Sequence, residues 1–251
     1  MRRFAVALSL AFALAACGGD NGAAPSPTAA PSATPSLAPE GTSTPVDGPF
    51  VRILSPTEGA AVDTPLFIEG EARTFDGRLV VSVRTSAGVE VCAAPLVADR
   101  AAPEVGRWSV HIGLRPPPQP GGLVVQAFAA ASAGGELALM DEVGVTLETG
   151  DPAILVTSPR CGETVGTTVT VDGTASVFEG TVNLTARGLD GEALAESFTT
   201  ATQGAPGRGP FSGTLELPPG TSGPVLIEAW SASAEDGTPE HVFGVPVFVN
   251  P

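Results

Sequence analysis

Leu66-Phe67-Ile68-Glu69-Gly70-Glu71-Ala72 and, 103 residues later, Val169-Thr170-Val171-Asp172-Gly173-Thr174-Ala175 carry one pattern, with an apolar residue or glycine at every second position in the same phase. Alternation with a period of two marks a strand with one buried face. A slip of one residue would turn the whole apolar set to solvent, so a phase kept in both stretches means that the same face is buried twice.

The correspondence widens on both sides of these stretches. At the same offset Ser55-Pro56 falls on Ser158-Pro159, Gly59 on Gly162, and Phe75-Asp76-Gly77 on Phe178-Glu179-Gly180. Leu79, Val81 and Val83 return as Val182, Leu184 and Ala186, and Trp108, Val110, Ile112 and Leu114 as Phe211, Gly213, Leu215 and Leu217. After a shift of one residue Leu123 to Ala129 matches Val225 to Ser231. A period this long exceeds a solenoid unit of about 20–50 residues, so it is a duplicated domain. Gly88 and Asp190-Gly191 mark hairpin connections. About seven short strands in roughly 100 residues predict an antiparallel sandwich for each copy. The chain is therefore expected to be all-β, with two tandem immunoglobulin-like sandwiches over 50–148 and 149–251.

Ahead of them, Met1-Arg2-Arg3 precedes an apolar run, Phe4 to Ala16, that is too short for a permanent membrane span and reads as a secretion signal. It ends in Leu14-Ala15-Ala16-Cys17, which resembles the lipobox of bacterial lipoproteins. That resemblance implies a signal peptide over 1–17, a diacylglyceryl group on Cys17, and a place on the extracytoplasmic face of the envelope, held to the membrane by lipid. Residues 18–49 are built from Ala, Pro, Ser and Thr with few large apolar side chains, a composition that cannot bury enough surface to order itself. Such a segment is expected to be a disordered tether. In an extended polyproline conformation it would reach roughly 100 Å.

The net charge of the whole chain is −15. Without Arg2 and Arg3, ten basic residues face 27 acidic ones, a net of −17. Nucleic acid and anionic lipid surfaces need clustered positive charge, which this composition does not supply.

Two cysteines follow Cys17. Cys92 lies in the first copy and Cys161 in the second, at positions that do not correspond, so a bridge could only join one copy to the other. Two separate thiols are the other reading.

Candidate chemistry is sparse. His111 and His241 sit in different copies and outside any H-x-x-x-H or H-E-x-x-H frame, so no metal site is expected. No nucleophile elbow, Walker loop or dinucleotide-binding turn occurs. Aromatic residues make up 5% of the chain and Tyr is absent, a poor supply for a carbohydrate cleft. The turn Glu235-Asp236-Gly237 has carboxylates for a hard cation but not the spaced series of a calcium loop, and a solvated hairpin turn accounts for it. No cofactor is expected.

One pair of positions offers a candidate binding anchor. If Val125, Ala127 and Ala129 face inward, as the matching Ile227, Ala229 and Ser231 suggest, Phe128 and Trp230 share the outer faces. Outward aromatics at matched positions suit an interaction surface. The competing reading is a bulge that flips the phase and makes both rings core, or packing against the neighbouring domain.

The second copy carries Ile154-Leu155-Val156-Thr157-Ser158-Pro159, then Gly162, Val165, Val169 to Gly173, and Ala175-Ser176-Val177-Phe178-Glu179-Gly180. Together with Phe211, Leu215-Glu216-Leu217-Pro218 and Ser233-Ala234-Glu235-Asp236-Gly237, this resembles the immunoglobulin-like domain of bacterial spore-germination proteins. The first copy departs from it at Thr74-Phe75-Asp76-Gly77 and at Ala133-Gly134-Gly135. The resemblance implies a small sandwich module of secreted or lipid-anchored bacterial proteins, with no assigned catalytic residues. The expected role is that of a non-enzymatic envelope lipoprotein whose two domains bind a surface protein or wall component, or support an envelope assembly. A passive envelope spacer without a specific ligand is the alternative.

Overall fold

The computed structural model describes residues 48–130, 132 and 134–250. The signal segment, Cys17 and residues 18–47 of the tether lie outside the described residues.

The first copy runs β1 (Phe50–Ser55), β2 (Ala61–Val62), β3 (Leu66–Arg73), β4 (Arg78–Thr85), β5 (Glu90–Val97), β6 (Gly106–Ile112), β7 (Gly121–Ala130) and β8 (Leu137–Leu147). The second runs β9 (Ile154–Ser158), β10 (Thr164–Val165), β11 (Thr168–Ala175), β12 (Thr181–Arg187), β13 (Ala193–Thr200), β14 (Gly209–Glu216), β15 (Gly223–Ala232) and β16 (Pro239–Val249), with one 3-10 turn at Phe178–Gly180. In each copy a three-stranded sheet, β1-β3-β6 or β9-β11-β14, packs on a five-stranded one, β2-β8-β7-β4-β5 or β10-β16-β15-β12-β13. The topology of the two is the same, strand for strand.

Each sandwich has eight strands where the alternation predicts about seven. The additional ones, β2 and β10, are two residues long and pair parallel to the last strand of their copy. Two residues are too few to show a period. All other pairings are antiparallel.

The alternating positions form the cores. Leu66, Ile68 and Ala72 are buried against Leu79, Val81, Val83 and Val110, and Val169, Val171 and Ala175 against Val182, Leu184 and Leu215. A fully buried aliphatic side chain of this size contributes about 1.5–3 kcal/mol. Between the alternating apolar residues of β3 and β11, Gly70 and Gly173 are steric necessities. A side-chain carbon at Gly70 would strike the Arg52 carbonyl and the Trp108 ring, and one at Gly173 would strike the Leu155 carbonyl and the Phe211 ring. The matched pairs, glycine over aromatic, let the ring cross beneath the strand.

Hairpin geometry also repeats. Gly88 and Gly191 adopt φ near +80° and close the β4–β5 and β12–β13 turns, each donating its amide three residues back, to Thr85 and Gly188. β8 ends at Leu147 and β9 begins at Ile154, and the two sandwiches belong to one compact unit.

Candidate interaction site

Val125, Ala127 and Ala129 have no solvent exposure, and neither do Ile227 and Ala229. Phe128 and Trp230 are half-buried and stand on the opposite, outer faces of the five-stranded sheets. A bulge does occur beside each of them, but the extra residue belongs to the partner strands β8 and β16, so the phase of β7 and β15 is kept. Neither ring belongs to a core. The indole N–H of Trp230 donates to Thr185 Oγ1 at 3.1 Å, which fixes its tilt against β12.

Farther along the same outer face, domain two meets domain one. Leu226, which faces outward on β15, packs against the apolar core of the first sandwich. The Gly113 amide, just past β6, donates to the Gly244 carbonyl on β16 at 2.8 Å. Approach this close needs both glycines. A side-chain carbon at Gly113 would enter the Phe243 ring, and one at Gly244 would meet the His111 carbonyl. Pro246, also outward on β16, is buried.

Cys92 on β5 is 3% exposed within the first core, and Cys161 lies in the turn after β9 of the second sandwich. The structure joins them in a disulfide with Cα atoms 5.5 Å apart, within the ordinary span of such a bridge. The bridge and the two-glycine contact therefore both tie domain one to domain two.

Between these ties the domains leave a cleft of about 830 Å³. Domain one supplies its open side, where edge strands β5 and β6 border the sandwich, and domain two supplies the β12–β13 turn together with Leu226 and Glu228. Glu228 is only slightly exposed and accepts from Arg187 Nε at 2.6 Å. His111 lies against Phe67, with ring centroids 4.7 Å apart. Burial holds its imidazole below the usual value, and the Glu228 carboxylate opposes that shift in part.

The remaining candidates are placed as follows. His241 is exposed, at φ 55° in the bulged part of β16. Asp236 caps its own turn, accepting from the amide and hydroxyl of Thr238, and these bonds lower its carboxyl below the usual range. Among the described residues no group of three or more His, Cys, Asp or Glu side chains is placed to hold a metal ion.

The joint residues Gly113, Gly244 and Leu226 are the ones sequence reading did not single out. Their signal is a mismatch in the repeat: the counterpart of Gly113 is Glu216, and that of Gly244 is Glu142. Where one copy needs glycine for contact, the other carries a charge.

Two sandwiches with this strand order, each pairing a three-stranded and a five-stranded sheet, define tandem immunoglobulin-like domains. The model of one family, the immunoglobulin-like domain of bacterial spore germination, matches residues 50–136 and 153–238. The chain belongs to that family. Among solved structures, it is similar to the fibronectin(III)-like modules of Clostridium thermocellum CbhA, at 17% identity over 80% of this chain and 94% of that one, with a TM-score of 0.26. It is also similar to the C-terminal domain of the Streptococcus pyogenes antigen I/II-family protein AspA, at 9% identity over 80% and 99%, with a TM-score of 0.27. CopC from Methylosinus trichosporium OB3b matches 41% of this chain over 96% of its own, at 16% identity and a TM-score of 0.29. At these values none of the three carries a functional argument. No curated protein matches the chain. Tandem immunoglobulin-like domains fit a non-enzymatic role of a structural or adhesive kind.

Proposed function

We infer that this is a cell-envelope lipoprotein, anchored through Cys17 and held off the membrane by its 18–49 tether, whose two sandwiches form one display unit that binds a surface partner. The observation that carries this reading is the joint. A disulfide, a two-glycine contact and the half-buried Leu226 set one domain against the other, while Phe128 and Trp230 stay on outer faces outside either core. Anchored modules that only filled space would have no need of half-buried rings on outer faces at matched positions.

The same rigidity also serves a passive spacer without a ligand, and the rings separate the two readings. Photo-cross-linkers placed in living cells at Val80 and Asn183, the cross-strand neighbours of Phe128 and Trp230, with Cys17→Ser as a second variant, test both parts. Display for binding requires a discrete cross-linked envelope partner that is lost in Phe128→Ser/Trp230→Ser, and palmitate labelling that is lost in Cys17→Ser. Cross-linking that is diffuse and indifferent to the rings would favour the spacer. Continued palmitate incorporation without Cys17 would remove the anchor.

A further inference from the structure

Three features of the interdomain cleft bear on what it holds. Its lining includes the apolar side chains of Pro95, Leu96 and Leu226. Its walls carry Glu69, Asp99, Asp190 and Glu228 against Arg107 and Arg187, and Arg187 is already paired with Glu228. Among the described residues Glu69, Asp99 and Asp190 enter no ion pair, and Arg107 is the one cation of the cleft left without a carboxylate. The balance of uncompensated charge is therefore negative. Among the described residues these carboxylates do not converge as a metal-holding group.

The cleft also lies along β5, the edge of its sheet, beside β6, whose Arg107 N–H and C=O are already bonded to Asp99. Edge strands present backbone groups to an incoming extended segment. One wall residue, Trp108, is 5% exposed, and its indole N–H meets no acceptor. A volume of about 830 Å³ at a domain boundary lies within the range of ligand-binding clefts, roughly 300–1,000 Å³.

We propose that this cleft binds an extended segment of a partner protein in which basic side chains alternate with apolar ones. The basic groups meet Glu69, Asp99 and Asp190, the apolar ones rest on Leu96 and Leu226, and the backbone runs beside β5. A polyamine shares the charge but makes no use of the apolar side chains. The disulfide and the two-glycine contact hold the cleft open before binding, which lowers the ordering cost of association. The proposal rests on the binding reading above and names the chemistry of the partner.

The test uses the full-length chain in mild detergent and fluorescence polarisation of a labelled nonapeptide of alternating arginine and valine. The same peptide with glutamate for arginine, and spermidine as competitor, are the controls. Ser109→Trp fills the cleft without changing charge, Glu69→Gln/Asp190→Asn removes its charge, and Glu216→Gln/Glu240→Gln removes as much charge elsewhere. Expected are at least tenfold weaker binding of the glutamate peptide, at least tenfold weaker binding by S109W, a loss of several-fold in E69Q/D190N, and none in E216Q/E240Q. Wild-type binding by S109W, or equal losses in the two charge variants, would show diffuse attraction to an acidic protein and overturn the proposal. Full displacement by spermidine at equal charge concentration would assign the site to polyamines and overturn it as well. Failure here with ring-dependent cross-linking intact removes the cleft alone, whereas failure of both removes the binding reading.

Discussion

The amide of Gly113 donates to the carbonyl of Gly244 across the domain boundary at 2.8 Å, and in the duplicated frame the counterparts of these two residues are Glu216 and Glu142. A head-to-tail contact of this kind would extend from chain to chain if both halves were alike. Here the equivalent surfaces carry carboxylates, so the next contact in the series would set two like charges where this one has none. The duplication has diverged into an inner joint and two outer ends.

Replacing Gly244 with the residue of its counterpart is expected to open the joint. In Gly244→Glu the first side-chain carbon already meets the His111 carbonyl. Overpacking of this sort costs about 1–3 kcal/mol. Both sandwiches should stay folded by circular dichroism, while the Gly113 amide loses its protection from hydrogen exchange. Unchanged protection at Gly113 would show that the contact does not order the joint.

Removing the Cys92–Cys161 bridge is expected to destabilise the two-domain unit by about 2–4 kcal/mol, because the bridge closes a loop across 69 positions of sequence. Urea unfolding of Cys92→Ala/Cys161→Ala should show this loss. Reduction of the wild type should match the variant, and free alkylatable thiols in the untreated protein would contradict the bridge.

Much of the fold is legible in the sequence, since the phase of Leu66, Ile68 and Ala72 is repeated by Val169, Val171 and Ala175. Two copies of one period are stronger than either alone. Strands of two residues such as β2 have no period to read and escaped. The outward placement of Phe128 and Trp230 follows from phase only if no bulge falls on β7 or β15, and the strand pairing puts the extra residue on the neighbouring strand in both copies. The joint was least legible. Gly113 and Gly244 are 131 positions apart, and nothing local tells a glycine needed for contact between domains from one in a loop.

Trp108 should be replaceable by the residue its counterpart uses, Phe211. The indole N–H is buried without an acceptor, a group whose desolvation costs about 1–3 kcal/mol, and this offsets the packing lost on shrinking the ring. Trp108→Phe is expected to change unfolding free energy by less than about 1 kcal/mol, whereas Trp108→Ala should lose about 3–5 kcal/mol. A large loss in W108F by denaturant titration would mean that the N–H finds a partner in solution.

The joint should weaken in acid through His111. Burial lowers its folded pKa below the unfolded value, with Glu228 opposing in part. The neutral imidazole is the form the fold accommodates, so its contribution is intact above the unfolded pKa, near 6.5, and is lost as pH falls from there through the folded pKa. Thermal unfolding measured from pH 7.5 to 5 should fall more steeply in the wild type than in His111→Asn. Parallel curves would remove His111 as the titrating group.

The two sandwiches are expected to move as one body, and amide relaxation by NMR on the full-length chain measures that directly. Amides of β3 and β11 are expected to report a single rotational correlation time and a common alignment in residual dipolar couplings. Two shorter correlation times, one for each sandwich, would contradict it.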